Sequence, residues 1–365
     1  MSSLLKPSMN WLLVFIPVTL YLRFLSPESS TLIFVTACLS ILPLAGWMGK
    51  ATENLATHTS EGVGALLNAT FGNAAELIIA LVALQKGLHD VVKASLTGSI
   101  IGNVLLVMGL SMVAGGVKFK AQRFNQVAAN NQATMLMLAA ISLVMPAAFH
   151  HLATPASPLV EGALSLEISI VMLIVYGLSL VFALITHKAL FGGEGGQAHG
   201  GETVAWSKGK SMAVLAGATA MIAWISEILV GSVEAAAHSF GMTGVFVGVI
   251  VVAIIGNAAE HSTAVITAMK NRMDLSVGIA VGSSIQVALF VAPVLVIASY
   301  WVGPHPMNLV FSPAEVLAVT ASVFITGQIA NDGESNWMEG VQLLAVYVIM
   351  GAVFYFLPEM AGAKH

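Results

Sequence analysis

The chain has 365 residues, 57% of them hydrophobic and 9% charged, against roughly 25% charged in an ordinary soluble domain. A net charge of −4 with only 14 Lys and Arg leaves no basic footprint for nucleic acid, and a single cysteine, Cys38, excludes a disulfide framework, a CxxC redox pair and a thiolate metal site. The composition suits lipid as solvent and an all-α polytopic membrane protein as fold class.

Apolar runs broken by Pro, Gly and charge predict eleven transmembrane helices. The first, 9–25, follows Lys6 and has no small-x-small cleavage site before Arg23, so it reads as a retained helix and not as a signal peptide. Next come 31–49, 62–85, 91–114, 127–149 and 164–186. Phe191 to Lys210 is the most polar connection, and its Gly-Gly-Glu-Gly-Gly and His-Gly-Gly-Glu pieces cannot bury a core, which marks a flexible linker. Beyond it lie 211–237, 242–269, 275–301, 312–330 and 339–357. With alternating sides, ten of the 14 Lys and Arg fall on the N-terminal side, and only Arg23, Lys86, Lys93 and Lys364 on the other. The N-terminus is therefore expected in the cytoplasm and the C-terminus outside. The lack of long tails favours a prokaryotic plasma membrane.

The third and eighth predicted helices carry the same pentapeptide. Gly72-Asn73-Ala74-Ala75-Glu76 recurs as Gly256-Asn257-Ala258-Ala259-Glu260, an offset of 184 residues, and Gly98-Ser99-Ile100-Ile101 answers Gly282-Ser283-Ser284-Ile285 at the same offset. The two copies are five crossings apart, so they run through the membrane in opposite directions. Inverted repeats of this kind build many secondary transporters.

A mid-membrane carboxylate costs about 2.5–3.5 kcal/mol on insertion scales, so Glu76 and Glu260 are expected to face a cavity or a partner. Gly, Asn and Glu of each copy share one helical face. Gly followed by Asn is a poor helix interior, which predicts a local break that turns backbone carbonyls toward the site. Ser95, Ser99, Gly102 and Asn103 share a face of the fourth helix, and Gly282, Ser283 and Gln286 a face of the ninth. Two carboxylates, amide oxygens and hydroxyls form an all-oxygen set that suits calcium, with sodium an alternative. Crowded carboxylates in a low dielectric repel one another, so protons and a cation compete for the same oxygens, the minimal chemistry of an exchanger.

Other polar residues are weaker candidates. Glu53, Glu61, Glu227 and Glu234 lie near helix ends, where solvated side chains are ordinary. His261 follows Glu260 and could take part in proton transfer, although it points to another face. His150-His151 alone is weak as a metal site. No nucleophile–base or His-Glu-x-x-His arrangement supports an enzyme, and no cofactor is implied. A cation channel and a homo-oligomer both stay open.

At these residues the sequence resembles the cation/proton exchanger family of the calcium/cation antiporter superfamily. Asn-Ala-Thr-Phe-Gly-Asn-Ala-Ala-Glu at 68–76 and Gly-Asn-Ala-Ala-Glu-His at 256–261 look like its paired signatures, and the resemblance extends from about Gly46 through the last helix. It implies one N-terminal helix plus two inverted five-helix repeats: 1–30 as the extra helix, 31–186 as the first repeat, 187–210 as the linker and 211–365 as the second repeat. It implies exchange of Ca2+ for protons, with Na+ or K+ against protons as the alternative. Cation ligands would fall on Glu76 and Glu260, supported by Asn73, Asn257, Ser99, Asn103, Ser283 and Gln286. The second and seventh helices would slide past the site, with Glu53 and Glu234 flanking that path. Some relatives carry a strongly acidic helix between the repeats, whereas this linker has only Glu194 and Glu202.

Overall fold

Where the solvent offers the backbone no hydrogen bonds, each segment must satisfy its own N–H and C=O groups, and a helix does so locally. The structure is a computed structural model describing residues 9–59, 61–153, 157–187 and 206–357. Thirteen helical pieces are described: α1 (Met9–Leu25), α2 (Ser30–Ala56), α3 (Glu61–Phe71), α4 (Ala74–Gln85), α5 (His89–Gly116), α6 (Gln126–Leu152), α7 (Pro158–Thr186), α8 (Lys208–Phe240), α9 (Gly244–Gly256), α10 (Ala258–Ala268), α11 (Met273–Ala298), α12 (Pro313–Ala330) and α13 (Trp337–Phe356). A two-residue antiparallel pairing joins β1 (Gln122–Arg123) to β2 (Glu334–Ser335).

Each of the eleven predicted segments meets a helix, and two of them are broken. Segment 62–85 divides into α3 and α4 around Gly72-Asn73, and 242–269 divides into α9 and α10 at Asn257 with a bend of 62°. Among the described residues, eight helices are long and apolar enough to cross a bilayer, or nine with α9 and α10 taken as one span. Eleven passes would also require α1 and the α3–α4 pair, whose pieces have 11 and 12 residues. The second and seventh segments run longer than predicted, to 27 and 33 residues, because no breaker follows Gly49 before Thr57 or Ala237 before Gly241. The linker at 188–205 lies outside the described residues.

Helices α5 and α11 form the centre. Their most apolar windows are 83% and 72% buried, against 17% for α7 and for α13, which present apolar faces outward. Small residues permit this central packing. A Cβ at Gly98 would lie 2.0 Å from the Val249 carbonyl oxygen, so α5 meets α9 backbone to backbone. Both central helices widen into a π turn, at Gly102–Val107 in α5 and Val287–Val291 in α11, within one helical turn of their Gly-Ser pairs. Single π turns inside α-helices recur at functional sites. Outside this centre α2 packs on α8, and α1 docks on α2 through Thr19 Oγ1 and Ser40 Oγ, 3.1 Å apart and buried.

The connections gather into separate ends. On one, Gln122 donates to Ala268 O at 2.9 Å, Arg123 pairs with Glu334 at 2.8 Å, and Asn125 N donates to the Asp274 carboxylate. On the other, Lys86 donates to Glu227 O at 2.9 Å, Lys93 to Asn308 Oδ1 at 2.6 Å, and His150 contacts Glu161 at 2.6 Å. The α2–α3 and α7–α8 connections meet through Asn54 and His58, which hold Trp206.

Candidate functional site

The two breaks share one construction. Asn73 stands immediately before α4 and Asn257 immediately before α10, so each asparagine is an N-cap residue and each glutamate lies in the first turn of its half-helix. Neither asparagine side chain caps its own helix. Both amides are buried and turn toward the other half of the chain. The expected break is present, and its contribution to the cluster is the side-chain amide.

The halves interlock at the glycines. A Cβ at Gly256 would come within 2.9 Å of Glu76 Cγ, and one at Gly72 within 3.3 Å of Glu260 Oε1. Each glycine thus makes room for the opposite repeat's carboxylate.

Around Glu76 the network converges on one carboxylate oxygen. Ser99 Oγ and Asn257 Nδ2 both donate to Glu76 Oε1. The Asn257 amide also donates to Ser99 Oγ at 3.1 Å and to Ala253 O at 3.0 Å. A cavity of about 10 Å³ lies beside this carboxylate, bordered by Ser95, Ser99 and Val252. That is the lower limit for one water.

Around Glu260 the same residue types are otherwise engaged. Ser283 donates to Asn73 Oδ1 at 3.0 Å and accepts from Asn103 Nδ2 at 3.1 Å. Asn73 Nδ2 donates to Gln286 Oε1 at 2.6 Å. His261 Nε2 contacts Asn103 Oδ1 at 3.0 Å, so this histidine backs the network from behind.

One oxygen of each carboxylate, Oε2 of Glu76 and Oε2 of Glu260, is buried without a hydrogen-bond partner. An unpartnered buried carboxylate oxygen is costly, and a proton or a cation relieves it. Among the described residues no group of three or more His, Cys, Asp or Glu forms a metal cluster, which leaves a mixed set of two carboxylates with amide and hydroxyl oxygens. Such a set resembles the coordination of hard cations.

All eight residues expected around the ion therefore converge, together with His261. Glu53 and Glu234 do not: both are exposed, and no hydrogen bond ties either to the cluster. A second polar assembly escapes sequence reasoning. Lys93, near the start of α5, donates to Asn308 Oδ1 and Val310 O, while the buried Glu161 and Glu315 bond to Asn308 and Thr97. Its parts lie up to 222 residues apart, with no repeat or motif to link them.

The model of the sodium/calcium exchanger protein family matches residues 29–185 and again 210–356. The chain belongs to that family. Each matched block holds one Gly-Asn-Ala-Ala-Glu copy. A Ca(2+)/H(+) antiporter of Aphanothece halophytica is 46% identical over 361 residues, 95% of this chain and 96% of the relative. The Ca(2+)/H(+) antiporter ChaA of Bacillus subtilis (strain 168) is 47% identical over 330 residues, covering 90% of this chain and 93% of the relative. The solved structure of native YfkE superposes with a TM-score of 0.83 at 42% identity, covering 96% of this chain and all of that one (100%). The H+/Ca2+ exchanger CAX, 14% identical, shares the fold with a TM-score of 0.65, covering 95% of this chain and 91% of that one. As a member of this family with its long apolar helices, the chain is an integral membrane protein.

Proposed function

We propose that this protein exchanges Ca2+ for protons across a membrane by alternating access, with Glu76 and Glu260 as the shared cation and proton site. The observation that carries the reading is the pair of carboxylates from opposite halves, each seated on the other half's glycine and each with one buried, unpartnered oxygen. Relatives named Ca(2+)/H(+) antiporter at 46% and 47% identity support the choice of ions. Asn73, Asn257, Ser99, Asn103, Ser283 and Gln286 supply or orient the remaining oxygens.

Chemically the exchange is competition. Ser99 and Asn257 hold one oxygen of Glu76 by donated hydrogen bonds and leave Oε2 to the transported ion. Two carboxylates in a low dielectric cannot both carry charge without a cation between them. Binding Ca2+ therefore expels protons, and protonation expels Ca2+.

Two matched blocks of the same family model, and connections that gather by alternate ends, support one N-terminal helix followed by two inverted five-helix repeats, eleven passes in all. The basic residues favour a cytoplasmic N-terminus and an outside C-terminus, and bacterial relatives favour a plasma membrane. In this reading α2 and α8 slide past the site, with Glu53 and Glu234 along the path.

Inverted vesicles with an imposed pH gradient test the proposal. Ca2+ uptake is expected for the unaltered chain, with Na+ and K+ failing to compete, and Glu76→Gln and Glu260→Gln are each expected to abolish it. Normal uptake by either variant would remove that glutamate from the site.

A further inference from the structure

A groove of about 260 Å³ opens between the α1–α2 connection, the end of α4 and α8. Its walls carry two cations, Arg23 and Lys86, one carboxylate, Glu227, the hydroxyls of Ser30 and Ser232, and Trp224. The side of the molecule assigned by alternation to Arg23 and Lys86 holds only four of the chain's 14 Lys and Arg. Two of those four converge here, a third, Lys93, is consumed by Asn308 and Val310, and Lys364 lies outside the described residues. The groove lining carries two cations against one carboxylate, and Glu28 lies beside it on the α1–α2 connection, between the lining residues Pro27 and Ser30.

Its donors are only partly used. Lys86 has three N–H groups and donates at 2.9 Å to the Glu227 main-chain oxygen. Arg23, exposed in the last turn of α1, has no hydrogen bond or ion pair among the described residues. Burial holds Lys86 below the ordinary lysine range, Glu227 opposes that effect and the like charge of Arg23 adds to it. An anion between the two cations would relieve their repulsion.

The surroundings say where that anion comes from. Tyr21, Phe24 and Leu25 on α1 are exposed by 60%, 69% and 68%, and Trp224 on α8 by 44%. These are side chains that face acyl chains or sit at the headgroup level of a bilayer. A basic pocket at the end of such helices has the chemistry that holds lipid phosphates.

We propose that this groove binds the phosphate of an anionic phospholipid, with Arg23 and Lys86 as the recognising cations and the acyl chains along the Phe24 and Trp224 surface. Glu227 then weakens the site and limits its affinity. The inference stands apart from the ion-exchange reading, since it concerns neither Glu76 nor Glu260.

The test is a binding titration of the full-length detergent-solubilised protein with phosphatidylglycerol, phosphatidylcholine and inorganic phosphate. Native mass spectrometry counts bound lipid, and tryptophan emission with Trp224→Phe as reference locates it. Phosphatidylglycerol is expected to bind at least about tenfold more tightly than phosphatidylcholine, with Arg23→Gln costing about fivefold and Glu227→Gln gaining about threefold, as expected for single charges near a partly solvated site. The gain guards against a variant that merely misfolds. Inorganic phosphate binding as tightly as the lipid would keep the phosphate site but assign it to a soluble anion. Phosphatidylglycerol binding that neither substitution changes, or an emission response driven by Ca2+ in place of phosphate, would overturn the proposal.

Discussion

Glu76 and Glu260 stand in identical pentapeptides 184 residues apart, yet one carboxylate is firmly tied and the other loosely. Glu76 Oε1 accepts from both Ser99 and Asn257. At Glu260 the matching serine and asparagine, Ser283 and Asn73, bond chiefly to each other and to Asn103 and Gln286. The cause lies in positions where the repeats disagree. Gln286 corresponds to Gly102, so only the second repeat has an amide to capture the opposite asparagine. Asn103 corresponds to Val287, so only the first has an amide to hold the opposite serine, and His261, which corresponds to Leu77, steadies it. The repeat places the two carboxylates, and its imperfections set how each is hydrogen-bonded. A site that must release its ion to alternate sides gains from having one oxygen ligand fixed and its partner free to move.

Four substitutions probe that difference, Asn257→Ala with its repeat mate first and then the other two in falling order of effect. Asn257→Ala removes a charge-assisted hydrogen bond from Glu76, worth about 1.5–3 kcal/mol, and is expected to weaken Ca2+ binding by more than tenfold, measured by calorimetry. Asn73→Ala, its repeat mate, should cost threefold or less, about 0.6 kcal/mol. Equal losses would mean that the two half-sites are equivalent. Gly256→Ala pushes a methyl group against Glu76 Cγ at 2.9 Å, and a reduction of transport of about fivefold is expected, consistent with modest overpacking. Gln286→Ala should have the smallest effect on affinity, about twofold, because Asn73 then turns to Glu260 and makes the half-sites more alike. Infrared bands of the Glu260 carboxylate, identified with Glu260→Gln, should shift in Gln286→Ala while those of Glu76 stay in place.

Much of this was readable from residues alone, for definable reasons. A carboxylate in an apolar run stands out because lipid offers it nothing, and two copies in one register fix the pairing of the halves. The breaks at Gly72-Asn73 and Asn257 followed from poor helix formers, and the helix centres from hydropathy. The extent of α2 did not, since Lys50 and Glu53 are good helix formers that a hydropathy window reads as an end, and α8 runs three residues past the predicted segment at each end. Nor did the direction of the amides. Asn73 choosing Gln286 over Glu260 depends on which long-range neighbour packing brings within 3 Å, and no local spacing encodes that. Lys93 shows the same gap: its partners Asn308 and Val310 come from another part of the chain, and nothing near it in sequence names them.

The central claim is that Ca2+ and protons compete for Glu76 and Glu260, and proton release measures this directly. Purified protein in weakly buffered detergent, titrated with Ca2+ against a pH indicator, should release protons, with the amount falling as the starting pH rises and the carboxylates begin ionised. Glu76→Gln and Glu260→Gln should each reduce the release, and the double substitution should abolish it along with Ca2+ binding. Undiminished Ca2+-driven proton release from the double variant would contradict the account.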